Sequence, residues 1–85
     1  MVPAKYLRYP GLTNEVGKRI YDERYRQKYE PLHEGKYISI DVESGEAGLG
    51  DSLDEAMKAA REVAPNGWFY SFRIGYPNAF RVRRY

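Results

Sequence analysis

Residues 36–67 read KYISIDVESGEAGLGDSLDEAMKAAREVAPNG, and this stretch decides the fold class. Its first part alternates, with Ile38, Ile40 and Val42 on one side and Tyr37, Ser39, Asp41 and Glu43 on the other. Period two with β-branched residues on a single side is the pattern of a half-buried strand. Ser44-Gly45-Glu46 supplies turn residues, and Glu46 to Leu49 is long enough for a short return strand that its glycines weaken. Ser52, followed three residues later by Glu55, then forms a capping box ahead of Leu53, Ala56, Met57, Ala60 and Val63 at helical spacing. Asp51, Asp54 and Glu55 sit where the helix dipole is positive, and Pro65-Asn66-Gly67 closes the element.

Working outward, Pro3 and Pro10-Gly11 interrupt any regular element over residues 1–12, so this segment is expected to be an extended arm. A helix follows, with Thr13 or Asn14 as its cap and Pro31 as its end. Its apolar stripe is Val16, Ile20, Tyr21, Tyr25, Tyr29 and Leu32. On the other side, Trp68, Tyr70, Phe72 and Ile74 alternate with Phe69, Ser71 and Arg73, which predicts a strand. Gly75-Tyr76-Pro77-Asn78 is turn chemistry, and AFRVRRY completes a terminal hairpin with Phe80 and Val82 inward and Arg81 and Arg83 outward. The expected order is α-β-β-α-β-β: an α+β domain over residues 13–85, with a four-stranded, mainly antiparallel sheet and two helices on one face.

At 85 residues and 42% hydrophobic content the chain is one small globular domain, too short for a two-domain enzyme. No apolar run approaches the ~20 residues of a membrane span, and the start MVPAKYLRYPGL lacks a signal-peptide core, so the expected location is cytoplasmic. Zero Cys removes disulfides and thiolate chemistry, leaving core packing or an oligomer interface to hold the fold. The net charge of +2 is unevenly placed: residues 1–36 hold 8 Lys/Arg against 5 Asp/Glu, residues 37–67 hold 2 against 7, and residues 68–85 hold 4 against none. The basic ends either form one positive face or neutralise the acidic middle within the fold.

The string HEGKYISIDVESGE (33–46) resembles a pattern in small uncharacterised prokaryotic proteins. There a helix ends in Pro-x-His/Tyr-x-Gly-Lys and runs into a strand reading Gly-Lys-[Phe/Tyr]-[Val/Ile]-x-Ile-Asp. In PNGWFYSFRIGYPNAFRVRRY (65–85), an aromatic strand leads to Arg-Ile-Gly-Tyr, again similar to that family. Gly35, Lys36, Asp41, Gly45, Arg73, Gly75, Tyr76, Ala79, Phe80 and Arg81 fill the pattern's positions. The family resembles a domain of unknown function and implies no activity; what it implies is a protein partner, in the manner of a regulatory or antitoxin-like subunit.

The chemistry-bearing residues give little support to an enzyme. His33 has no second His or Cys with which to hold a metal. Asp41, Glu43, Glu46 and Asp51 lack the EF-hand order, and Asp41 and Glu43 read as strand carboxylates that are solvated or paired with Arg73 or Arg81. Gly45-x-x-Gly48-x-Gly50 is not a dinucleotide fingerprint, and no catalytic triad or phosphate loop is suggested. No cofactor and no metal are expected. The expected role is a non-enzymatic interaction module that binds a partner protein or itself, through a sheet face carrying Phe69, Arg73, Tyr76, Arg81 and Arg83, with Tyr6, Leu7 and Tyr9 of the arm as the alternative cover for Phe69. The other reading is a nucleic-acid-binding module, in which Arg73, Arg81, Arg83 and Arg84 neutralise phosphates and Tyr85 stacks on bases. Asp22, Glu23 and Glu30 weigh against it, because they interleave with the basic residues of the first helix at pair spacing.

Overall fold

The computed structural model describes residues 3–9 and 11–76. A short helix α1 (Ala4–Arg8) comes first, followed by one long helical rod made of α2 (Leu12–Ile20), a π-helical turn (Tyr21–Tyr25) and α3 (Arg26–His33). Strands β1 (Tyr37–Asp41) and β2 (Ala47–Gly50) come next, then α4 (Leu53–Val63) and β3 (Phe69–Arg73). The sheet has the order β2-β1-β3, and both pairings are antiparallel.

Two features of the expected sheet are corrected. Among the described residues it has three strands rather than four; the fourth was placed on AFRVRRY, which lies outside the described residues. The helices also do not share one face. In register, Ile38 stands opposite Leu49 and Phe72, and Ile40 opposite Ala47 and Tyr70. That face packs against Tyr21, with Ile20, Tyr25 and Tyr29 beside it. The alternate positions Ser39, Gly48 and Ser71 form the other face, and α4 lies on it: a Cβ built on Gly48 would fall within 2.8 Å of main-chain atoms of Ala56, Ala59 and Ala60. Ser39, Ala56 and Ala60 are fully buried, and the Ser71 hydroxyl donates to Ser39 Oγ at 2.8 Å. The sheet is thus covered on both sides. Small residues that look solvent-facing in the sequence are small because a helix backbone approaches them closely.

Each half of the core has its own packing. On the rod side, the Tyr21 ring meets Phe72 edge-on at 4.7 Å, Ile74 is fully buried beside them, and Gly17 lets α2 close onto the Tyr70 side chain. Burial, then the nearby Glu30 carboxylate that accepts the Tyr21 hydroxyl at 3.3 Å, hold that phenol well above its ordinary range. On the α4 side, Ser52 accepts from Glu55 N at 3.2 Å as the capping box requires, while the Glu55 carboxylate takes the amide of Asp51, one residue earlier than the usual partner.

The rod departs from expectation at three points. Its cap is Gly11, and the Thr13 hydroxyl instead accepts from the Trp68 indole at 2.8 Å. Pro31 lies inside α3, which runs on to His33. The wide turn at 21–25 has a sequence cause: Gly17, Tyr21, Tyr25, Tyr29 and His33 recur every four residues, which in a regular helix drifts by about 40° per step. Under-winding over one turn takes up that drift and keeps Tyr21, Tyr25 and Tyr29 against the sheet. It also lets Arg24 and Tyr25 both reach the β1–β2 turn, donating to the carbonyls of Ser44 and Gly45.

The N-terminal arm is likewise not extended throughout, since residues 4–8 form α1 with Pro3 at its cap. Tyr6 is buried there, and Lys5 pairs with Glu43 at 3.5 Å.

Candidate functional site

The strongest grouping of half-buried polar and aromatic side chains forms where the end of β3 meets the start of β1. Its frame is a glycine bulge. Gly35, at φ +93°, donates its amide to the Ile74 carbonyl (2.8 Å), and the Ile74 amide returns to the Lys36 carbonyl (2.8 Å). Two residues therefore face one, the arrangement in which glycine supplies the left-handed residue, and such bulges re-aim neighbouring groups. Here the re-aimed group is the Gly35 carbonyl, which accepts from Arg73 Nε at 3.0 Å.

Arg73 is consequently held at its stem. Its guanidinium lies 4.3 Å from the Tyr76 ring centroid and 5.7 Å from that of Tyr37, so aromatic surfaces flank it. No carboxylate among the described residues pairs with it. Lys36 alongside is occupied by Asp51, and Glu34 packs against Gly75, which has φ +86°. Both glycines of the corner thus adopt conformations that suit glycine. Tyr76 remains 45% exposed.

The expected contact residues are placed unequally. Arg73 and Tyr76 come together, as do Gly35, Lys36 and Gly75, which join the two sequence motifs at one corner. Phe69 stands at the far end of β3, about 13 Å along the strand, with its ring beside Gly67. Of the arm residues expected as its cover, Leu7 and Tyr9 are 69% and 57% exposed and Tyr6 is buried. Ser71, expected on an outward face, lies under α4. Arg81, Arg83, Arg84 and Tyr85 are outside the described residues. On the rod, Arg26 is engaged by Asp22 (3.4 Å) and Glu30 (3.5 Å), which leaves less positive charge for a polyanion than a count of basic residues suggests.

Asp41 is also corrected. It is buried rather than solvated, and it pairs with neither Arg73 nor any other cation among the described residues. Its carboxylate accepts from the amides of Glu43 (3.2 Å), Ser44 (3.2 Å) and Trp68 (3.1 Å) and from the Ser44 hydroxyl (2.8 Å). Burial alone would raise its pKa, but these four donors outweigh it and hold the group below the ordinary aspartate value. Its role is to tie the β1–β2 turn to the entry of β3. Among the described residues, no three His, Asp or Glu side chains converge as metal ligands, and His33 stands edge-on to Tyr29 at 5.2 Å.

No helix of the described residues is long and apolar enough to cross a membrane. Comparison with protein-family models, with curated proteins and with solved structures returns no match to this chain.

Proposed function

We propose that the chain is a small non-enzymatic interaction module that takes an extended segment of a partner protein alongside β3. The observation that carries this reading is the outer edge of that strand. The Val42 amide bonds the Trp68 carbonyl, and Ile74 exchanges bonds with the bulge, so Trp68, Tyr70, Phe72 and Ile74 turn their main-chain groups to β1. Phe69, Ser71 and Arg73 then turn their amides outward, and no described residue accepts from them. Among the described residues these amides and the Phe69 and Ser71 carbonyls form a row open to strand addition, in which the backbone provides affinity and flanking side chains provide selectivity, while the Arg73 carbonyl already accepts from the Tyr76 amide at 3.1 Å. Phe69, Arg73 and Tyr76 are those flanking residues.

The test is Ser71→Pro, which removes an outward amide while sparing the β1–β3 main-chain ladder, judged against Ser71→Ala, which loses only the buried Ser39 contact that both changes remove. Tagged wild type and both variants are used for capture from nuclease-treated cell lysate, and the recovered complexes are sized. A stoichiometric protein held by wild type and Ser71→Ala and lost with Ser71→Pro supports the reading, and a second copy of the chain appearing there identifies self-pairing. Equal capture by wild type and Ser71→Pro overturns it. In a parallel capture without nuclease, recovery of nucleic acid alone favours the phosphate-binding reading.

A further inference from the structure

We propose that Arg73 is a carboxylate clamp, so that the segment accepted alongside β3 is acidic and places an Asp or Glu side chain against this guanidinium. The inference rests on the strand-addition reading and adds the chemistry of the occupant.

A guanidinium presents five donors in a rigid plane. At Arg73 the Nε donor is fixed to the Gly35 carbonyl, and the guanidinium carbon lies over the Tyr76 and Tyr37 rings. What remains is the terminal pair of nitrogens, and no described group accepts from them. A carboxylate fits such an edge bidentately, and the side chain has already been ordered by its own fold, so little rotamer entropy is left to lose on binding. The neighbouring charges point the same way. Lys36 is already paired with Asp51. Residues 68–76, which carry Arg73, contain no Asp or Glu, so an incoming acidic segment meets no acidic side chain from the strand itself or the turn after it. Glu34 lies against Gly75 rather than on the guanidinium. A strand added beside β3 puts a side chain directly opposite Arg73, where an opposite charge is the stabilising choice.

The probe is a short fluorescent peptide of alternating valine and threonine with a central glutamate, alongside an otherwise identical glutamine peptide; both are titrated into the full chain and followed by anisotropy. The glutamate peptide is expected to bind at least about tenfold more tightly, since a carboxylate accepts from both terminal nitrogens and brings the opposite charge, whereas a glutamine amide offers one acceptor oxygen and no charge. Arg73→Gln should bring the two peptides to equal affinity. Arg73→Lys, which keeps the charge but loses the planar fork, should recover only part of the difference. If wild type binds both peptides equally and Ser71→Pro abolishes both, the clamp is refuted while strand addition stands. If wild type binds neither, both readings fall. Circular dichroism and thermal melts of the Arg73 variants confirm that a lost preference does not reflect a lost fold.

Discussion

Replacing Gly48 by alanine tests the arrangement of the sheet between two helical layers more sharply than any other change. A methyl group there would lie 2.3 Å from Ala60 N, 2.7 Å from the Ala59 carbonyl carbon and 2.8 Å from the Ala56 carbonyl oxygen. All three are main-chain atoms, so no rotamer change relieves the contact. Carbon atoms pack at about 3.5–4.0 Å, so α4 must withdraw by roughly an ångström and open its contact with Ser39 and Ser71. Overpacking of this kind costs ~1–3 kcal/mol. Loss of glycine freedom in the unfolded chain returns about 0.4–1 kcal/mol, leaving a net destabilisation of roughly 1.3 kcal/mol at the middle of both ranges. With a urea slope of ~1 kcal/mol/M for a small domain, the unfolding midpoint should fall by about 1.3 M. Gly11→Ala is the control: its added methyl meets nothing within 4 Å, so it should stay within about 0.5 kcal/mol of wild type. A Gly48→Ala midpoint indistinguishable from wild type would show that α4 does not cover this face.

Three further outcomes are expected. Asp41→Asn keeps the shape but aims amide hydrogens at donors, and should cost about 1–3 kcal/mol by chemical denaturation. Because the Asp41 carboxyl is held below its ordinary value of 3.8, its contribution is complete well above that pH and drains away as the pH falls through 3.8 towards the lower folded value. The variant's stability should therefore depend less steeply on pH in that acid range, and an unchanged slope would contradict the assignment. Ser52→Ala removes the cap of α4 and should lower stability by ~1 kcal/mol, read from a thermal melt. Amide exchange along β3 should alternate, slow at Tyr70 and Phe72 and fast at Phe69, Ser71 and Arg73; uniform protection would mean that the outer edge is paired in the free protein.

How far these features are legible in the sequence depends on whether the signal is local. The alternation of Ile38, Ile40 and Val42 and the Ser52–Glu55 pair identify β1 and α4, because each is decided by a few neighbouring residues. The return strand, expected over 46–49, forms over 47–50. Which side α4 covers is not local: Ser39, Gly48 and Ser71 carry a polar or blank signature equally suited to water and to a tightly docked helix. Tyr6 within an apparently extended arm is hidden in the same way, although Pro3 is a permissible helix start. Two signals were present and usable. The four-residue repeat from Gly17 to His33 implies an under-wound rod, and Asp41 followed three residues later by Ser44 and then by Gly45 is the pattern of a carboxylate that closes its own turn. At the candidate site, Arg73 and Tyr76 can be nominated from residue type alone. The bulge that presents the Gly35 carbonyl to Arg73 cannot, because it depends on pairing between segments 38 residues apart.

The wide turn at Tyr21–Tyr25 puts an upper bound on the number of residues in the rod. Each residue in a regular helix advances the side-chain direction by about 100°. Deleting one residue from 22–24 would let the turn relax into ordinary α-helix with the phase beyond it nearly kept, whereas one further residue inserted there would swing everything beyond it by roughly that angle relative to the sheet. Tyr25 and Tyr29 would leave the core, and the segment carrying Gly35 would reach β1 out of phase with Ile74. Substitutions at Asp22 or Glu23 are absorbed by solvent, whereas a single-codon insertion at the same place propagates to the far corner of the molecule. In this rod, chain length carries structural information that side-chain identity does not.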